Sequence, residues 1–80
     1  MYASMRLPQV EFEMGQIQAE IRQLHKFMNT FLLSYPPLNQ NVTHIAAVQQ
    51  SIRNLEARLQ TLQLEKEELL FQVARDHQRN

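Results

Sequence analysis

Met28-Asn29-Thr30-Phe31-Leu32-Leu33-Ser34-Tyr35-Pro36-Pro37-Leu38-Asn39-Gln40-Asn41-Val42-Thr43-His44-Ile45 closes one heptad ladder, breaks at two prolines and opens another. A proline clashes with the preceding helical turn, and it pushes its predecessor out of the helical region. The stretch therefore reads as helix, turn, helix. Upstream, Leu7, Met14, Ile21 and Met28 occupy one core position, and Val10, Ile17, Leu24 and Phe31 the other. Downstream, Ile45, Ile52, Leu59, Lys66 and Val73 occupy one position, with Val48, Leu55, Leu62 and Leu69 at the other. Apolar residues alternating three and four apart line one side of a helix, and that side needs another helix to cover it.

This pattern predicts an all-α fold, an antiparallel, coiled-coil-like helical hairpin over 7–77. Its expected parts are a helix over 7–34, a Pro-Pro turn over 35–42 and a helix over 43–77, flanked by a flexible N-terminus (1–6) and a frayed tail (78–80). With a second methionine at Met5, residues 1–4 read as an addition to the natural start as readily as part of it. Pro8 suits a first helical turn, where its missing N–H costs nothing. Asn41 or Thr43 would cap the second helix. Folding the ladders together sets Met28 against Val48, Leu24 against Ile52, Ile21 against Leu55 and Ile17 against Leu59. Beyond these, Met14 meets Leu62, Val10 meets Lys66, Leu7 meets Leu69, and Phe31 meets Ile45 beside the turn. On the flanks this register puts Glu20 near Arg58 and Glu13 near Glu65. Lys66, the single charged core position, reads as a solvated lysine or as a register selector reaching Glu11 or Glu13. Isoleucine and leucine at the two core positions of the second ladder also suit a parallel pairing of second helices.

A two-stranded coil is expected to be polar on its outside. Here Phe12 and Ala19 on the first helix, and Ala57, Leu64 and Phe71 on the second, form a further seven-residue stripe that Leu33 extends and Leu70 broadens. Such apolar surface marks an interface. Hairpins are accordingly expected to associate through it into a four-helix bundle or a larger helical homo-oligomer. Two helices alone enclose little core, which points the same way.

The remaining composition narrows the function classes. Eight Lys and Arg balance eight Asp and Glu, whereas a protein that neutralises several phosphates carries a basic excess. No direct nucleic-acid contact is expected. No cysteine is present, which removes disulfides and thiolate ligands and favours a reducing, intracellular compartment, cytoplasmic or nuclear. No secretory signal and no membrane-spanning run is visible, so no membrane insertion is expected. His25, His44 and His77 are scattered, Glu65, Glu67 and Glu68 form a solvated run, and the single glycine, Gly15, cannot build a phosphate loop. No catalytic residue, cofactor or metal site is predicted. Asn41-Val42-Thr43 has the form of a glycosylation acceptor, a chance match without a secretory signal. Tyr35-Pro36-Pro37-Leu38 resembles the YPxL motif of viral late domains, which binds an ESCRT-associated adaptor, and also resembles a tyrosine-based sorting signal. The sequence thus favours a non-enzymatic oligomerisation or scaffold module, a small subunit or fragment of a larger complex, whose partners are itself or other helical proteins. Its alternatives are an adaptor receiving an unrelated protein on the outer stripe or the YPPL segment, and the multimerisation region of a nucleic-acid-associated regulator.

Overall fold

The computed structural model describes residues 2–34 and 39–78, with side chains over 2–30 and 43–78. Two helices, α1 (Tyr2–Ser34) and α2 (Asn39–Gln78), account for all described residues. They pack against each other in a hairpin-like rod of 64 × 15 × 13 Å. At 1.5 Å per residue, 40 helical residues span about 60 Å, so α2 alone sets the rod's length.

Both helices begin earlier than the ladders predict. α1 starts at Tyr2 rather than at residue 7, and Pro8 lies inside it. A proline within a helix costs about 3 kcal/mol, because it offers no N–H to the preceding turn and crowds it. Two features of this segment oppose that cost. Ala3, seven residues before Val10, continues the core ladder and is buried. Arg6 grips α2 through a two-pronged bond to Glu65. The small side chain of Ala3 and the proline disguised this extra heptad. α2 starts at Asn39, so Asn41 and Thr43, the expected caps, stand inside the helix. It ends at Gln78, one residue past the expected boundary.

The direction of the helices follows from two ion pairs. Arg6 Nε donates to Glu65 Oε2 at 2.9 Å, and Arg58 Nη2 donates to Glu13 Oε1 at 3.1 Å. Seven residues forward on α1 thus correspond to seven residues back on α2, which is an antiparallel pairing. Phe27 and His44, two heptads further along the same progression, border one cleft with Met28, Ile45 and Val48. This progression departs from the expected register by about one helical turn. Glu13 meets Arg58 rather than Glu65, and Arg58 is taken by Glu13 rather than Glu20. It also brings Val10 to the height of Leu62 instead of Lys66. Charge explains the preference. The expected register opposed two carboxylates at Glu13 and Glu65, whereas the observed one gives each of them an arginine.

Among the described residues, the core is densest in the half remote from Pro36 and Pro37. Val10 and Leu62 are fully buried, and Ala3, Met14, Ile17 and Leu69 join them in one cluster. Full burial of one such aliphatic side chain contributes about 1.5–3 kcal/mol. Leu7, Ile21, Leu55, Leu59 and Val73 pack half-buried around the cluster, and Ile52 is buried beyond it. Leu24, Met28, Ile45 and Val48 are half-buried. The Phe31 side chain lies outside the described residues.

Candidate interaction surfaces on the outer faces

Each helix carries a row of exposed apolar residues on the side opposite its core ladder. On α1, Phe12 stands two residues from both Val10 and Met14. At 100° per residue it therefore points away from α2. It is 69 % exposed, and Met5, one heptad earlier, is 70 % exposed. Ala19, one heptad later, is half-buried. On α2, Leu64 stands two residues from buried Leu62 and is 60 % exposed, while Phe71, one heptad on, is 63 % exposed. Ala57 is exposed on the same line, and Leu70 lies on the flank, nearer the seam.

These residues do not form one shared patch. Because each row faces away from the common seam, Phe12 and Ala19 occupy one edge of the rod, and Ala57, Leu64 and Phe71 the opposite edge. The heptad position of each row was legible in the sequence. The opposite directions of the two rows follow from packing the two ladders face to face.

The two edges differ in polarity. Along α1, Phe12, Gly15, Gln16 and Ala19, with Glu11 at one side, border a shallow depression open to solvent. A Cβ built on Gly15 would meet nothing within 4 Å. Along α2, charged groups crowd the apolar row. Glu67 accepts a bond from Gln63 Nε2 and Glu68 one from Gln72 Nε2, both at 3.3 Å. The Arg75 guanidinium lies 5.6 Å from the centre of the Phe71 ring, within the range of a cation–π contact.

The seam's electrostatics centre on Glu65. Its pKa is lowered, chiefly because Arg6 donates to its carboxylate, with the positive charges of Arg6 and Arg58 adding and partial desolvation opposing. The same bond raises Arg6 further above its ordinary value. Lys66 is half-buried and forms no ion pair among the described residues. Charge matching across this seam therefore comes from Arg6, Glu13, Arg58 and Glu65; the ladder reading placed the last three on the flanks with other partners and passed over Arg6, which lies before its expected first helix. Alternating signs at seven-residue spacing on both helices was the available signal.

Among the described residues, no three His, Asp or Glu side chains are placed to hold a metal ion. No described helix is long and apolar enough to cross a membrane. Tyr35-Pro36-Pro37-Leu38 lies outside the described residues, as do the side chains of Leu33 and Asn41. Comparisons with protein-family models, with curated proteins and with solved structures return no match.

Proposed function

We propose that this chain is a non-enzymatic assembly module, a helical hairpin that associates with further helices through its outer faces to form a homo-oligomer or scaffold. One observation carries the reading: Phe12, Leu64 and Phe71 are each more than half exposed, at heptad spacing, on faces that the hairpin itself leaves uncovered. Large apolar side chains repeated along a helix face are what a helical partner covers, and single scattered ones carry no such period. The hairpin supports the reading in a second way. Few of the described residues are fully buried, and a small domain with little core gains most from further association.

The solution mass of the chain across a dilution series tests this. Sedimentation equilibrium is expected to give at least twice the 9.5 kDa chain mass at micromolar concentration. A well-folded monomer throughout the series would reject self-assembly and favour the adaptor reading, in which an unrelated protein covers the same residues.

A further inference from the structure

We propose that the outer face of α1 is a two-fold seam, against which a second copy of this chain lays its own α1 antiparallel, with each Phe12 filling the hollow over Gly15 and Ala19 of the other copy. This rests on self-association through the outer faces, and it specifies the face, the register and the symmetry.

The steric fit is self-complementary. Phe12 projects from a face whose next turn carries glycine and then alanine, four residues apart. The depression there is open to solvent along α1, and apart from the adjoining backbone and chain neighbours nothing lies within 4 Å of where a Gly15 Cβ would stand. A two-fold axis passing beside Gly15 and Gln16 brings Phe12 level with Ala19 of the other copy, and the reverse. Glycine lets the two backbones approach closely at that point. An isologous contact of this kind repeats every interaction twice.

The flanks agree with the same axis. A two-fold axis perpendicular to antiparallel helices keeps each flank on its own side. On one flank Gln16 meets its own counterpart, and Gln9 meets Gln23. Primary amides both donate and accept, so such pairs satisfy themselves. On the other flank Glu11 stands within two residues, about 3 Å along the axis, of Arg22. Both are exposed, and neither forms an ion pair within the chain among the described residues. Further out, Met5 lies level with the aliphatic stem of Lys26.

The α2 edge does not pass the same test. Pairing Leu64 with Phe71 across a two-fold axis would set Glu67 beside its own counterpart on one flank and Glu68 beside its own on the other, like charges at the centre of the contact. Arg75 already covers part of the Phe71 ring. The α1 edge, whose centre carries no like-charge pair, is the one that fits itself.

Gly15→Leu separates this seam from the fold. Within one chain the new side chain enters open space and replaces a poor helix former, so at a dilution where both chains are monomeric the helix signal and melting midpoint are expected to hold or rise. Between copies it fills the hollow, and the equilibrium mass is expected to fall by half, as it should for Phe12→Ser. Because the chain has no cysteine, Gln16→Cys provides a single thiol that should oxidise to a covalent dimer. Gln9→Cys alone should not, whereas a mixture of Gln9→Cys and Gln23→Cys chains should. A Gly15→Leu chain at wild-type mass, or Gln9→Cys cross-linking as readily as Gln16→Cys, would overturn the seam. If Leu64→Ser lowers the mass while Gly15→Leu leaves it unchanged, self-association stands and this seam falls. A monomeric wild-type chain sinks both.

Discussion

The half of the hairpin remote from Pro36 and Pro37 is sealed, whereas the described side chains nearer to them are only half-buried. In the remote half, Val10 and Leu62 have no exposure, Ala3, Met14, Ile17 and Leu69 are buried around them, and both inter-helical ion pairs lie there. Toward the prolines, Leu24, Met28, Ile45 and Val48 are half-buried, and Phe27, Met28, His44, Ile45 and Val48 border a narrow cleft. Chain connectivity explains the contrast. A short connection already holds the near ends together, and closing a short loop costs little entropy. The far ends have no such tether. There, packing and charge must fix which residues meet.

The largest expected effect tests this division directly. Leu62→Ala removes a fully buried side chain and should destabilise the hairpin by about 2–5 kcal/mol. Val48→Ala, in the half-buried end, should cost no more than about 1 kcal/mol, since little apolar area is lost. Urea midpoints at one fixed protein concentration compare the two, because association adds to apparent stability. Equal losses would show that the tethered end is as demanding as the free one.

Next in size is Pro8, which lies in the sealed half and weakens it. Pro8→Ala supplies an N–H to the helix and removes the ring clash, so the urea midpoint should rise, with a gain of up to about 3 kcal/mol. The gain should be smaller if the turns before Pro8 already relax around the ring. A fall in midpoint would mean that the helix before Pro8 contributes nothing to the seam, contrary to the burial of Ala3.

The sealed half also shows where sequence reasoning succeeds and where it stops. Two helices and their core faces were legible because leucine, isoleucine and valine at three- and four-residue spacing admit one face only. Val10, Met14, Ile17, Ile52, Leu62 and Leu69 are all buried. The register was not legible from those residues. Heptad ladders superpose at many offsets, and aliphatic side chains distinguish poorly between them. The residues that distinguish them are Arg6, Glu13, Arg58 and Glu65, whose relevance depends on which flank each one borders. The first helical turns were obscured for a different reason. Ala3 is too small to signal a core position, and Pro8 locally contradicts the helix that tertiary packing retains. The outer rows were legible as rows. Their separation onto opposite edges follows once the two ladders face each other, because each row lies opposite its own ladder, and grouping them into one stripe overlooked this.

The smallest effect concerns the charge that guards the sealed half, and its sign follows from the lowered pKa of Glu65. A carboxylate whose pKa is depressed on folding adds stability that is fully present above its unfolded value, about 4.3 for glutamate. That contribution is lost as the pH falls through the lower, folded value. Wild type should therefore exceed Glu65→Gln in urea midpoint at neutral pH, and the difference should shrink in acid until it vanishes below the folded pKa. The pair is partly exposed, with side-chain accessibilities of 27 % and 33 %, so solvent screens it and added salt should narrow the gap at neutral pH as well. Lys66→Gln serves as the control, because Lys66 forms no ion pair among the described residues and its replacement should leave the acid limb unchanged. If the wild-type advantage over Glu65→Gln persisted undiminished at low pH, packing by the glutamate side chain, rather than its charge, would be what holds the free ends in register.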